Sequence, residues 1–191
     1  MRIITGKARG VNLKSPEGLE TRPTTEFAKE GIFSAIQFDL EGRTVLDLFA
    51  GSGQMGLEAL SRGAEKAVFV DSSRDAFEII VENCKKTKLY AESKVVCADY
   101  MHYIKSQRNK RHFDIVFVDP PYSKGLLCSA LYALYESKIV DETSMIICED
   151  GLPNLTGREP NLLNKFDLKK EYKYGKVHFF ILIPKKVLTN V

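Results

Sequence analysis

The chain has 191 residues, a length that suits one α/β domain with a hydrophobic core and a small extension. Its net charge of +3 at pH 7 is too small to indicate nucleic-acid binding by itself, and no apolar run is long enough to span a bilayer. The four cysteines are scattered without a C-x-x-C pair, which argues against a disulfide framework or a zinc site. We therefore expect a cytoplasmic protein with no bound metal and no membrane partner. We also expect a monomer, although these features of the sequence do not give the oligomeric state.

The first 41 residues are predicted to form a small extension, and residues 42–191 to form the catalytic domain. Apolar residues on both sides of a glycine-containing turn predict a hairpin that pairs residues 2–5 with residues 11–13. Thr24 or Thr25 is a suitable N-cap for the helix that follows, and Gly42 ends this segment.

Basic residues are concentrated at the two ends of the chain. Residues 1–14 contain four basic side chains and no acidic one: Arg2, Lys7, Arg9 and Lys14. Lysines also outnumber acids between residues 165 and 186. Such ends can attract a phosphate backbone, and a solvated lysine-rich surface is an equally good explanation of the charge alone.

From residue 44 onward, short apolar strands alternate with helices. Strands are predicted at residues 44–48, 67–70, 94–98, 113–118 and 144–149, and helices at 54–62, 74–88, 100–107 and 124–138. Repeated β-α units with continuous apolar strands predict a mostly parallel sheet with helices on both faces. Residues 166–174 and 177–183, joined at Gly175, predict an antiparallel hairpin at the edge of this sheet.

A glycine-rich loop, residues 47–56, follows the first strand of the alternating part and leads into a helix. Gly51, Gly53 and Gly56 match G-x-G-x-x-G, and Asp71 ends the next strand, where an acid can bind ribose hydroxyls. This context predicts a nucleoside cofactor. The negative charge of Asp47 beside the loop disfavours a pyrophosphate and suits the sulfonium and ammonium groups of S-adenosyl-L-methionine. Capping of backbone N–H groups is a second role of Asp47 that is compatible with the first.

Four acids fall at the carboxyl ends of predicted strands, where ligands bind in sheets of this kind: Asp47, Asp71, Asp99 and Asp119. Asp99 is placed either to accept a hydrogen bond from an adenine amine or to cap the following helix. The sequence does not decide between these two roles.

Residues 119–122, Asp-Pro-Pro-Tyr, follow a buried strand and cannot extend a sheet, because each proline lacks an N–H. Asp119 and the carbonyl of Pro120 can accept hydrogen bonds from an amine on a planar ring, which frees the nitrogen lone pair, while Tyr122 can stack on the ring. The segment therefore predicts methyl transfer to a base amine, with helix capping and simple packing as structural alternatives. It does not distinguish adenine N6, guanine N2 and cytosine N4, or DNA and RNA.

The order of these motifs resembles the bacterial 16S rRNA guanine-N2 methyltransferases of the RsmD type. The resemblance rests on residues 21–25, 47–53, 119–122 and 174–175, with further similarity in residues 1–7 and 56–64. It implies an α/β, Rossmann-like class I methyltransferase fold with a seven-stranded, mostly parallel sheet. It also implies S-adenosyl-L-methionine as donor and 2-methylguanosine in 16S rRNA as product. The implied substrate is a small ribosomal subunit or an assembly intermediate.

Matching motifs and their immediate neighbours in the chain then predict the site residues. The donor site is predicted to contain Asp47, Phe49, Gly51, Ser52, Gly53, Asp71, Ser72, Asp99 and Tyr100. The base site is predicted to contain Asp119, Pro120, Pro121 and Tyr122. Contacts with RNA are predicted for Arg2, Lys7, Arg9, Arg22 and Thr24.

Three other functions compete with this one. An adenine-N6 methyltransferase acting on DNA or RNA would use the same chemistry, but a DNA enzyme of that kind usually needs a target-recognition insertion. An NAD(P)-dependent oxidoreductase shares the glycine fingerprint, although Asp47 and the two prolines argue against it. A non-catalytic RNA-binding protein with a degenerate fold is disfavoured by the intact motifs.

Overall fold

A seven-stranded sheet forms the centre of the protein. The computed structural model describes residues 1–16, 23–121 and 125–186, with the backbone alone for residues 23–25. The strands are β1 (Thr44–Asp47), β2 (Lys66–Asp71), β3 (Ser93–Cys97), β4 (Ile115–Val118), β5 (Met145–Asp150), β6 (Phe166–Tyr174) and β7 (Val177–Pro184). The helices are α1 (Pro23–Ala35), α2 (Gln54–Ser61), α3 (Arg74–Lys86), α4 (Tyr100–Gln107), α5 (Leu126–Glu136) and α6 (Leu155–Arg158).

The strand order is β3-β2-β1-β4-β5-β7-β6. Strands β1 to β5 are parallel, whereas β7 runs antiparallel to both β5 and β6. The predicted fold class, a mostly parallel sheet with an antiparallel C-terminal hairpin, is therefore confirmed. The chain reverses its direction of winding between β1 and β4, and ligands bind at the carboxyl ends of the strands at such a switch point.

Both faces of the sheet are covered, because neighbouring residues of a strand point to opposite faces. Val45 and Phe117 belong to one hydrophobic cluster, and Leu46 and Val116 belong to the other. All four side chains are buried. This double coverage explains why the strands are continuous apolar runs in the sequence.

The N-terminal extension packs on the same face of the sheet as α2. Ile3, Leu13 and Phe33 are buried members of the cluster that also contains the α2 residue Leu57. The predicted hairpin is present in short form: Arg2 and Asn12 form an antiparallel bridge, the Ile3 N–H donates to the Val11 carbonyl at 3.0 Å, and the Leu13 N–H donates to the Met1 carbonyl at 2.9 Å. The boundary between the N-terminal extension and the catalytic domain at residue 41 stays a prediction.

Several boundaries differ from the predicted ones. Helix α1 begins at Pro23, where a missing N–H breaks no intrahelical bond, so Thr24 and Thr25 lie inside the first turn instead of capping it. Helix α6 was not predicted, although Asn154 caps it by accepting the Gly157 N–H at 3.1 Å. None of the helices in the described ranges is long and apolar enough to cross a membrane.

A buried ionic network joins the extension to α2. The Glu58 carboxylate, which is 0% exposed, accepts the N–H groups of Ile4 at 2.8 Å and Thr5 at 3.0 Å. It also accepts Arg62 Nε at 2.8 Å and faces Lys29 Nζ at 3.4 Å. Lys29 is itself buried and donates to the carbonyl of residue 2 at 2.6 Å. One carboxylate thus holds the start of the chain in place.

Candidate active site

A cavity of about 690 Å³ opens at the carboxyl ends of the strands around the switch point. Each of β1 to β5 contributes to its wall through its last residues or the loop that follows. The lining residues are Met1, Ser15, Pro16, Leu48, Phe49, Ala50, Gly51, Ser52, Gln54, Asp71, Ser72, Ala98, Asp99, Tyr100, Asp119, Pro120, Pro121, Leu126 and Glu149.

The glycine loop between β1 and α2 forms one side of the cavity. Gly53 has a φ of +78°, which favours glycine, and its N–H donates to the carbonyl of Ala50 at 2.6 Å. At Gly56, a Cβ atom would lie 2.4 Å from the Phe69 ring, so only glycine lets α2 approach β2 this closely. These glycines therefore shape the turn and the helix packing, and leave Gly51 and Ser52 in the cavity wall.

Asp71, at the end of β2, anchors the glycine loop to the next turn. One carboxylate oxygen accepts the Gly51 N–H at 2.8 Å, and the other accepts the Ser73 N–H at 2.9 Å. Asp71 and its neighbour Ser72 both line the cavity. The carboxylate is thus held by two backbone bonds at a position where it can receive a ligand hydroxyl.

The opposite wall is formed by residues that follow β3. Asp99 Oδ1 accepts the N–H groups of Met101 at 2.9 Å and His102 at 3.1 Å, so the helix-capping role is confirmed. The contact of Asp99 with an adenine amine stays a prediction. Beside it, the rings of Tyr100 and Phe49 lie 5.1 Å apart between centroids and form an apolar wall.

Asp47 lies behind the glycine loop and does not line the cavity. Its carboxylate is 3% exposed, and Oδ2 accepts the Gly56 N–H at 2.9 Å. Burial, with a smaller contribution from the Asp71 charge, raises the pKa of Asp47 to about 7, although the hydrogen bond from Gly56 opposes the rise. Asp47 therefore accepts a backbone N–H, that of Gly56, and the glycine loop separates its carboxyl from a ligand in the cavity.

Replacing Asp47 by asparagine is expected to raise the melting temperature at pH 8 and to have a smaller effect near pH 4. The Asp47 carboxyl binds its proton more tightly in the folded protein than in the unfolded chain. The free energy of unfolding therefore falls as the pH rises from the unfolded pKa of 3.8 to the folded pKa of about 7. Three pKa units correspond to an upper limit of about 4 kcal/mol. Calorimetric melting of Asp47→Asn across this pH range measures the effect, with the exposed Asp39→Asn as control. A stabilisation that grows toward low pH would contradict the assignment.

The far end of the cavity is formed by the residues after β4. Asp119, Pro120 and Pro121 line it together with Glu149 of β5. Asp119 is exposed to the open cavity, yet the protein around the cavity desolvates its carboxyl, and this desolvation, with the charges of Glu149 and Asp47, raises its pKa well above the usual range. The charge of a second carboxylate, Glu149, therefore disfavours the ionised form of Asp119 at this end of the cavity.

Glu149 was not predicted as a site residue. The sequence contained the signal for it, an acid at the carboxyl end of a predicted strand. Glu149 ends the fifth predicted strand in the same way that Asp47, Asp71, Asp99 and Asp119 lie at the ends of the others. Met1, Ser15 and Pro16 were also missed, since only the folded extension brings them to the cavity. The Ser52 hydroxyl donates to Met1 Sδ at 3.2 Å and joins the extension to the glycine loop.

The other predicted site residues fall into three groups. Most predicted donor residues line the cavity, whereas Asp47 and Gly53 lie behind its wall. Tyr122 and Arg22 lie outside the described residues, and only the backbone of Thr24 is described. Three predicted RNA-contacting residues are exposed on the extension: Arg2, Lys7 and Arg9.

The charge of the cavity restricts its ligand. Its described lining residues include four acids, Asp71, Asp99, Asp119 and Glu149, and no lysine, arginine or histidine. A pyrophosphate would meet no cationic side chain among these residues, whereas a cationic ligand would be stabilised by the acids. The charge of the cavity therefore favours a cationic ligand over a dinucleotide.

The strand order, the glycine loop after β1 and the acids at the strand ends define a class I methyltransferase fold. The solved structure of yhhF from Escherichia coli, which is provisionally named a methyltransferase, has a TM-score of 0.83 at 28% identity. It covers 98% of this chain and 99% of its own.

The family model described as conserved hypothetical protein 95 matches residues 1–183. Ribosomal RNA small subunit methyltransferase D of Escherichia coli is 32% identical over 179 residues, which cover 94% of this chain and 87% of that protein. YlbH of Bacillus subtilis, provisionally named an rRNA methyltransferase, is 37% identical over 150 residues, 78% of this chain and 82% of YlbH. The chain belongs to this family, that of the RsmD-type methyltransferases.

Proposed function

We propose that this protein transfers a methyl group from S-adenosyl-L-methionine to the N2 amine of a guanine in 16S rRNA. The observation that carries the proposal is that Asp119, Pro120 and Pro121 share one acidic cavity with the glycine loop. The family relatives named for small subunit rRNA support the RNA substrate. The guanine N2 atom rests on the motif resemblance described above.

The cavity residues fit S-adenosyl-L-methionine. Asp71 and Asp99 at the rim offer acceptors for hydroxyl and amine groups, and the wall of Phe49 and Tyr100 offers an apolar face for an adenine ring. The acids favour the sulfonium and ammonium groups of the donor. When bound, the donor supplies an electrophilic methyl group.

Asp119 is the residue to which we assign the acceptor chemistry. Its carboxylate accepts one N–H of the guanine amine, and the Pro120 carbonyl accepts the other. Both bonds draw the amine toward a pyramidal nitrogen, which then attacks the methyl carbon as the sulfur–carbon bond breaks. The proton lost from the nitrogen passes to Asp119, whose raised pKa suits a general base. We assign stacking on the base to Tyr122.

The N-terminal extension, residues 1–41, is proposed to contact the RNA. Arg2, Lys7 and Arg9 are exposed and can approach phosphate groups. Arg22 and Thr24 are assigned to the same surface by their match to the family motif. Because the Met1 side chain lines the cavity, this surface is continuous with the proposed active site.

The rate of methyl transfer is expected to fall as the pH drops through the raised pKa of Asp119, because a protonated carboxyl no longer accepts the amine hydrogen bond. Glu149→Gln removes a charge that raises this pKa, so the acidic limb of kcat/KM should move to lower pH. The pH profiles of both proteins measure this shift, with donor affinity as the control. An unmoved acidic limb would show that Glu149 does not control Asp119.

Transfer of tritium from labelled S-adenosyl-L-methionine tests the proposed function. The substrates are small subunits and 16S rRNA from cells that lack this gene, and duplex DNA serves as the competing substrate. Mass analysis of the nucleosides should find N2-methylguanosine. N6-methyladenosine, or labelling of DNA alone, would overturn the assignment. Tight binding of NAD(P)H without donor binding in calorimetry would instead support the oxidoreductase alternative.

A further inference from the structure

Four residues form a partly exposed surface on α1 and β6, which we call the aromatic patch: Phe27, Lys170, Tyr172 and Tyr174. The Phe27 side chain is 64% exposed, and its ring meets Tyr174 edge to face at 5.7 Å between centroids. The Tyr172 and Tyr174 rings lie 6.2 Å apart and are nearly parallel, with 13° between their planes. The patch therefore presents several aromatic rings on one surface.

An irregularity in the edge strand creates this arrangement. The register of β6 shifts between Leu168 and Lys170, so Leu168 packs in the cluster on one face of the sheet and Tyr172 packs on the other. Lys170 lies on the same face as Tyr172, and its Nζ lies 5.8 Å from that ring. The bulge thus aligns a cation with the tyrosines.

The Tyr174 ring is fixed by close packing. A Cβ atom at Gly31 of α1 would lie 2.3 Å from the Tyr174 hydroxyl, so glycine is needed for the ring to lie against the helix. The Phe179 ring supports it from the sheet at 6.2 Å between centroids. A ring held in this way loses little conformational entropy when a ligand stacks nearby.

The aromatic patch lies beside the proposed active site. Glu149, which lines the cavity, is opposite Phe179 on β7, and Phe179 is opposite Tyr172 on β6. Two strand spacings separate Glu149 from Tyr172, a distance of about 10 Å. That distance spans about three stacked nucleotides at ~3.4 Å each. The patch is thus within reach of nucleotides next to the methylated one.

The patch has exposed lysines that can contact a phosphate backbone, and it lies beside two acids of α1, Glu26 and Glu30. Lys170 and Lys176, which lies in the turn after β6, are both exposed. Arg2, 63% exposed, contacts Glu26 next to Phe27 at 3.7 Å. The nearby Glu171 is engaged by His178 Nδ1 at 3.1 Å. Aromatic rings together with lysines are the combination that binds single-stranded nucleic acid by stacking and charge.

We infer that the aromatic patch binds unpaired RNA nucleotides that flank the target guanine. The inference rests on the proposed function and assigns it a further RNA-binding surface, which adjoins Arg2 of the N-terminal extension. Phe27 and Tyr172 provide stacking faces, and Lys170 and Lys176 contact phosphates. Occupation of this surface holds the RNA while the target base lies in the cavity.

Phe27→Ala tests the surface, because an exposed ring can be removed with little effect on folding. The variant should bind a short fluorescein-labelled single-stranded RNA about fivefold more weakly or worse, and raise KM for small subunits with little change in kcat. Phe27→Trp should restore binding. Phe38→Ala is the matched control, since Phe38 is 92% exposed and lies beyond the other end of α1. The affinity of all variants for S-adenosyl-L-methionine should be unchanged.

Salt dependence separates stacking from charge. Phe27→Ala should weaken RNA binding without changing the slope of log K against log salt concentration. Lys176→Gln should reduce that slope by about 0.7, the value for one phosphate contact in a single strand. The same slope for Lys176→Gln and wild type would overturn the phosphate contact.

Three results would overturn the inference. If Phe27→Ala weakens RNA binding no more than Phe38→Ala does, while the wild type methylates small subunits, the proposed function stands without this surface. Light scattering could show that Phe27→Ala dissociates a dimer, which would assign the patch to a second copy of the chain. Recovery of a ribosomal protein that binds the wild type but not Phe27→Ala, in the absence of any RNA effect, would assign it to a protein partner. If the wild type methylates no RNA but its oligonucleotide binding depends on Phe27, the proposed function fails while the stacking surface stands.

Discussion

Asp119→Ala is expected to lower methyl transfer to small-subunit RNA by about 10²- to 10³-fold, the cost of removing one oriented polar group from an active site. The side chain stands at the end of β4, in the same cavity as the glycine loop, and is the acceptor to which we assign the target amine. Donor binding should be retained, because the groups assigned to the donor lie on the loops after β1, β2 and β3. Single-turnover transfer of tritium measures the chemical step, and calorimetry measures donor affinity.

Asp119→Asn is the matched variant, since it keeps the shape and one acceptor oxygen but removes the charge. It should be more active than Asp119→Ala and should lose the acidic limb of the pH profile, because no carboxyl remains to titrate at this position. Loss of donor binding in either variant, with an unchanged melting temperature, would show that Asp119 serves the donor and would refute its assignment to the base.

Glu58→Ala is expected to lower the free energy of unfolding by about 3–5 kcal/mol, the usual cost of breaking a buried ion pair by removing one partner. The buried Lys29 ammonium would lose its carboxylate, and the N–H groups of Ile4 and Thr5 would lose their acceptor. Burial already lowers the pKa of Lys29, and the Glu58 charge is the main opposing influence. Urea unfolding measures the loss.

The consequences of Glu58→Ala should extend to the cavity. Met1 lines the cavity and directly precedes this hairpin in the chain, so release of the hairpin should also weaken donor binding. Lys29→Met is the control, because Glu58 then keeps Arg62 and both backbone N–H groups. This control should cost less stability than Glu58→Ala. A loss below about 1 kcal/mol for Glu58→Ala would indicate that the network does not hold the extension.

Local patterns predicted the elements of the catalytic domain well. The strands around Val45, Phe69 and Phe117 are continuous apolar runs, because both faces of the sheet are buried. Such strands can be recognised in the sequence because apolar and polar residues do not alternate along them. The ends of α3 and α5 were placed less accurately, since helix ends depend on capping geometry and not on periodicity. The hairpin predicted from residues 2–5 and 11–13 is present as a short antiparallel pairing around Arg2 and Asn12, and its buried residues Ile3 and Leu13 pack in the cluster that contains α2.

The site residues divide in a similar way. Asp71, Asp99 and Asp119 could be predicted because the carboxyl ends of parallel strands meet at one edge of a sheet, whichever way the chain connects them. Glu149 follows the same rule but was not included. The aromatic patch could not be predicted, because its rings come from α1 and β6, which are far apart in the chain, and because a bulge sets which side chains of β6 face the helix.

The sequence by itself determined the kind of sheet, the glycine loop, the acidic strand ends and the family, because each depends on residues close together in the chain or on motifs in a fixed order. Only the tertiary structure decided that Asp47 lies behind the loop with a pKa of about 7, and that the Met1 side chain lines the cavity. It also decided that one buried carboxylate, Glu58, holds the start of the chain against α2. The physical reason is that burial and charge pairing are set by neighbours in space, and for these groups those neighbours come from distant parts of the sequence.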